Sequence, residues 1–96
     1  MPITQEELEA FCRKYHIQQL AFFGSVLTDQ FGPQSDIDVL VEFDPEHVPG
    51  LITFAEIELK LSELFGHKVD LNTRGTLSQF FRDQVIKEAR VQYDVK

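Results

Sequence analysis

One cysteine, no tryptophan and a shortage of positive charge set this 96-residue chain apart. The single thiol, Cys12, excludes an internal disulfide and suits a reducing compartment. Acids outnumber bases 16 to 9, a formal charge of −7, and no basic run or aromatic–basic interleaving occurs. Sequence-independent nucleic-acid binding depends on Lys and Arg neutralising phosphates, so direct binding of DNA or RNA is not expected. A small anionic ligand stays open, provided a metal carries the positive charge. The longest uninterrupted apolar runs are four or five residues, far short of the ~20 that span a bilayer as a helix. No basic segment followed by a hydrophobic stretch opens the chain, so a signal peptide is not expected and the cytoplasm is the expected location. Repeats, low-complexity segments and linkers are missing too, and residues 1–96 are expected to form one domain.

What is present is enough for a core: 43% hydrophobic residues, nine Phe among them. Thr4-Gln5-Glu6-Glu7 has the spacing of a capping box and opens a helix on which Leu8, Phe11, Cys12 and Tyr15 form one apolar stripe. Burying those four side chains contributes about 6–10 kcal/mol before conformational entropy is subtracted. Cys12 lies on the stripe and reads as core packing, and His16 as a helix-end residue. Ile17 to Phe23 reads as a strand ending at Gly24-Ser25, with a short helix over residues 26–30 stopped by Gly32-Pro33. Asp36 to Phe43 is a second strand, expected to be central and covered on both faces. His47 falls in a loop and reads as solvated. A helix from about Thr53 carries Phe54, Ile57, Leu61, Leu64 and Phe65 on one side, with Glu56, Glu58, Lys60 and Glu63 as a solvated face, and stops at Gly66. Lys68 to Asn72 is a short third strand. Ser78 is expected to cap a last helix that buries Phe81, Val85, Ile86 and Ala89, and Val91 to Tyr93 a final strand. The order predicts an α/β fold of the α+β type, a small mixed sheet of three to four strands packed by helices. The Phe residues, Phe31, Phe43, Phe80 and Phe81 among them, are assigned to the core by default.

The feature that asks for a reason is a pair of acids at the mouth of an apolar strand. Asp36 and Asp38 are spaced i, i+2 and point the same way. Two such charges about 6–7 Å apart repel by roughly 2–3 kcal/mol at an effective dielectric of 20, unless a cation sits between them. Asp70 is a third acid in an apolar setting, and if its strand is a neighbour all three carboxylates can meet at one sheet end. Hard oxygen ligands of this kind suit Mg²⁺, and two such ions suit phosphoryl chemistry. Gly24-Ser25 offers a close backbone approach, a hydroxyl and free N–H groups for an anion. No G-x-x-x-x-G-K-[ST] occurs, so the phosphate site is not a P-loop.

Strand, Gly24-Ser25, ten residues, Asp36-Ile37-Asp38, then Val69-Asp70-Leu71 on a third strand resembles the nucleotidyltransferase superfamily of the polymerase-beta type. The chain looks most like its minimal nucleotidyltransferases, the MNT proteins, and the resemblance covers nearly all of it. It implies the polymerase-beta palm-like fold, with Gly24 and Ser25 holding an NTP triphosphate. It implies that Asp36, Asp38 and Asp70 are catalytic and bind Mg²⁺, two ions, and that Asp70 also helps deprotonate the acceptor hydroxyl. The activity it implies is transfer of AMP from ATP onto a tyrosine of a co-encoded HEPN-domain RNase toxin, with this chain as the antitoxin. Many relatives carry Arg at the positions of Val26 and Thr28. Lys68, on the strand face of Asp70, and Arg74 are the candidate replacements, with a solvated or structural role the expectation for each.

Two other readings remain at this point. The chain could keep the fold and neutralise a HEPN partner by docking alone, or it could be the catalytic subunit of a small-molecule nucleotidyltransferase whose acceptor domain lies on another chain. Assembly with itself or with a partner stays open, and no membrane association is expected.

Overall fold

A computed structural model describes residues 3–28 and 31–95, apart from the side chain of Ser25. Helix α1 (Gln5–Lys14) begins as its sequence predicts, the Thr4 hydroxyl accepting the Glu7 amide proton at 3.1 Å. Thr4→Ala removes that acceptor and should lower stability by about 1 kcal/mol, read as a small fall in Tm with no change of fold. Chain reversal after α1 places His16 in the left-handed region at φ 59°. Four strands follow: β1 (Ile17–Phe23), β2 (Ile37–Phe43), β3 (Val69–Asn72) and β4 (Arg90–Asp94). Between them lie α2 (Leu51–Phe65), which ends at a left-handed Gly66 with φ 70°, and α3 (Arg82–Glu88).

The strands form one sheet in the order β3-β2-β1-β4, with β1 antiparallel to both neighbours and β2 parallel to β3. A parallel pair needs a crossover, and α2 supplies it. Side-chain alternation decides the rest. Ile37, Val39, Val41 and Phe43 of β2 join Leu20 and Phe22 of β1, Val69 and Leu71 of β3, Leu8 and Cys12 of α1, and Ile57, Leu61 and Phe65 of α2 in one core. Phe22 meets Phe65 edge to face at 5.5 Å. Burial pushes the Cys12 thiol up to about 12, with Glu9 adding to it, so Cys12 is inert packing as expected.

Several expectations need correction. β2 is central, but the core packs on one of its faces; Asp38 and Glu42 lie on the other, beside a shielded Leu40. Residues 24–27 form a 3₁₀ turn in place of the short helix over 26–30, whose end at residues 29 and 30 lies outside the described residues. α2 starts at Leu51, two residues early, because Gly50 provides its first carbonyl acceptor to Phe54. His47 is not simply solvated: its ring stacks on His16 at 3.9 Å and its Nδ1 lies 3.2 Å from Asp44 Oδ2. α3 starts at Arg82, with no side-chain cap; the carbonyl of Ser78, and not its hydroxyl, receives the Phe81 and Arg82 amides. None of α3 is buried, and Phe80 and Phe81 are exposed at 85% and 62%. With only seven residues, the helix is too short to lay a full apolar face on the sheet.

Candidate active site

Topology brings the acids together. Because β2 and β3 are parallel, their N-terminal ends share one edge of the sheet, and because β1 is antiparallel, its C-terminal end arrives at the same edge. In register, Asp38 stands between Phe23 of β1 and Asp70 of β3. Asp36 lies just before β2 and not within it: the first ladder bond is the Ile37 amide to the Lys68 carbonyl at 2.8 Å. Asp36 and Asp70 are exposed and Asp38 is half-buried.

Electrostatics ties the three side chains to one another. Burial holds the Asp38 carboxyl above its ordinary range, and the charges of Asp70 and then Asp36 push it the same way. Among the described residues, no Lys or Arg forms an ion pair with any of the three. An all-oxygen donor set with uncompensated charge has the chemistry of a site for a hard divalent cation. Among the described residues, however, no group of three or more His, Cys, Asp or Glu side chains is drawn close enough to hold a metal as it stands. Repulsion between like charges opposes that closure in the chain alone.

Gly24 forms the opposite wall. Its backbone is left-handed, φ 76°, and a Cβ built there would strike the Asp38 carboxylate. Only glycine therefore lets the 3₁₀ turn of residues 24–27 run against Asp38. Ser25 lies in that turn, and its side chain is outside the described residues. Val26, at one of the positions where the family resemblance implies an Arg, packs against the core. Arg74 is 3.8 Å from Glu42, a half-exposed pair of small energetic weight, so it serves the surface. Lys68 is exposed on the edge that carries the acids.

Glu58, expected on a solvated helix face, and Ser62, which no sequence pattern singled out, hold the strand that carries Asp70. β3 is an edge strand, and the amides of Val69 and Leu71 face away from β2. Ser62 Oγ accepts the first and Glu58 Oε2 the second, both at 2.8 Å, while Ser62 also donates to the Glu58 carbonyl. These bonds clamp the residues on either side of Asp70. Glu58→Ala leaves a partly buried N–H without a partner, which should lower stability by about 1–3 kcal/mol. Faster hydrogen exchange at Leu71 should accompany the loss, and Glu58→Gln, which keeps an acceptor, should restore most of it. The i, i+4 pair of Glu58 and Ser62 flanking the apolar stripe was the available signal, but only the folded edge strand gives it meaning.

The chain resembles known proteins in both sequence and fold. The nucleotidyltransferase domain family matches residues 5–92. The candidate protein adenylyltransferase MJ0128 of Methanocaldococcus jannaschii is 39% identical over 86 residues, 90% of this chain and 86% of that protein. Protein adenylyltransferase MntA of Thermococcus cleftensis is 30% identical over 94 residues, 90% of this chain and 93% of its own. A solved candidate minimal nucleotidyltransferase has a TM-score of 0.71 at 30% identity, covering 88% of this chain and 85% of that one. A complex of a tri-AMPylated HEPN toxin with its MNT antitoxin, from Shewanella oneidensis, shares the fold with a TM-score of 0.66 at 22% identity, over 94% of this chain and 69% of that one. With a family match over nearly its whole length and relatives at 30–39% identity spanned almost end to end, this chain belongs to the nucleotidyltransferase domain family, among its minimal members.

Proposed function

We propose that this chain is a Mg²⁺-dependent protein adenylyltransferase that moves AMP from ATP onto a tyrosine hydroxyl of a HEPN-domain RNase toxin and thereby acts as its antitoxin. The observation that carries the reading is the convergence of Asp36, Asp38 and Asp70 opposite Gly24, with the Asp38 carboxyl raised by burial and by both other acids. Kinship to protein adenylyltransferases supports the choice of reaction, and the AMPylated toxin held by a protein of the same fold supports the choice of acceptor.

The roles divide by element. Gly24 and Ser25 at the end of β1 receive the triphosphate through backbone N–H groups. Asp36, Asp38 and Asp70 would hold magnesium, which when bound would supply neutralising charge to the attacking and leaving oxygens. Asp70 takes the proton of the acceptor hydroxyl, whose oxygen forms the new bond to the α-phosphorus as the bond to pyrophosphate breaks. Without a cation the charges of Asp36, Asp38 and Asp70 would repel the triphosphate, so turnover should depend on the metal.

Incubation with the HEPN partner and ATP labelled at the α-phosphate tests this reading. The partner should retain that label, and it should not retain label placed at the γ-phosphate. Retention of neither, with the RNase still inhibited, would transfer support to neutralisation by docking. The specific feature in favour of that second reading is Val26 and Thr28, uncharged residues at the two positions after Gly24-Ser25 where the family resemblance implies Arg.

A further inference from the structure

We infer that the groove between the end of β1 and α3 is the subsite for the base of the nucleotide, with the Phe81 ring as its stacking surface. The inference rests on the nucleotidyltransferase reading above and assigns the nucleoside half of its substrate. The groove has a volume of about 360 Å³ and is lined by Phe23, Gly24, Phe81, Gln84, Val85 and Glu88. Gly24 belongs to both places: its missing Cβ makes room for the Asp38 carboxylate, and it walls the groove. A ligand with its phosphates at Gly24 therefore has an aromatic-lined cleft within covalent reach.

The chemistry of the walls selects the occupant. Phe23, Phe81 and Val85 offer no donor to a phosphate, and Glu88 repels one. A flat heteroaromatic ring suits them, since base–aromatic stacking needs only an exposed π-face. Phe81 presents one: it is 62% exposed and stands at the start of a helix with no buried residue. The polar rim suits a base as well. Gln84 Nε2 donates to Glu88 Oε1 at 3.3 Å, which leaves Gln84 Oε1 and the second Glu88 oxygen as acceptors for a ring N–H or an exocyclic amino group. The acceptor tyrosine is the other flat ring in the reaction, and the sheet order argues against it. Asp70, which takes the acceptor's proton, is on β3, and β2 separates it from the groove beside β1.

Calorimetric titration with Mg-ATP and with Mg-tripolyphosphate separates the base from the phosphates. The unaltered chain should bind ATP more tightly than tripolyphosphate. Phe81→Ala should weaken ATP by about tenfold and leave tripolyphosphate unchanged. Phe81→Trp should retain ATP affinity, and Phe80→Ala, a neighbour that does not line the groove, should match the unaltered chain. The base subsite is overturned if ATP and tripolyphosphate bind equally, if Phe81→Ala weakens both alike, or if it weakens neither and only raises the KM for the protein acceptor. If the unaltered chain binds neither ligand, the nucleotidyltransferase reading falls and takes the subsite with it.

Discussion

Asp38→Asn is expected to reduce AMP transfer by about a thousandfold, a loss comparable to removing a principal electrostatic group from an active site, while the protein stays folded. Asn keeps the size and shape of the side chain and removes its charge. The same change should raise Tm at neutral pH, because the Asp38 carboxylate is held there against burial and against the charges of Asp70 and Asp36. The sign follows from linkage. A carboxyl raised in the folded state binds its proton there at a pH at which the unfolded chain, with its ordinary value of 3.8, has already lost it. Its unfavourable contribution is therefore absent below pH 3.8 and grows as pH rises through the raised folded-state value. The Tm advantage of Asp38→Asn should accordingly be largest at neutral pH and shrink on acidification through that window. An inactive variant that is more stable than its parent is the signature of a functional charge kept at the expense of stability. Equal activity in the two proteins would remove Asp38 from the site.

Gly24→Ala should be the more damaging change to the fold and nearly as damaging to activity. Two effects add. A side chain at φ 76° is strained by about 1–2 kcal/mol, and the new Cβ collides with the Asp38 carboxylate. Either Asp38 rotates away from the position it shares with Asp70, or the turn of residues 24–27 lifts off the strand end. Both move the backbone proposed to hold the phosphates relative to the acids, and a displacement of about 1 Å in such a site can reduce rate by about a hundredfold. Thermal denaturation with steady-state transfer kinetics checks it: Tm falls and the rate falls together. Substitution at Gly32, where an added Cβ meets nothing within 4 Å, should leave the rate unchanged.

The parts of this protein that were legible in its sequence are those that depend on local pattern. The Thr4 cap, the stripe from Leu8 to Tyr15, the apolar runs of β1 and β2 and the glycine stop at Gly66 each follow from neighbours within a turn or a strand. The acids were legible for a different reason, since charge at the mouth of an apolar strand conflicts with burial and so calls for a ligand. Less legible were features set by packing at a distance. Nothing near Glu58 or Ser62 in the chain says that they bond the free edge of β3, because that edge exists only once the crossover is complete. Phe81 read as core because it fell on the apolar side of a helix expected to start at Ser78; the shortness of α3 leaves it at the rim of the groove instead. The expectation that β2 is covered on both faces failed on the same ground, as the apolar run contains Leu40 but the facing layer is the acid-bearing side.

Kinship and geometry thus meet at one end of the sheet, where β1 runs into Gly24 and β2 and β3 carry Asp38 and Asp70 as their second residues. The most direct test is site-mapped mass spectrometry of the HEPN partner after incubation with this chain, ATP and Mg²⁺, alongside an RNase assay of the same sample. The account predicts a gain of AMP on a tyrosine of the partner, loss of RNase activity in proportion, and neither effect when the Asp38→Asn chain is used at catalytic amounts. An unmodified partner whose RNase activity is nevertheless abolished would contradict it, and would make this chain an inhibitor that binds with an idle nucleotidyltransferase fold.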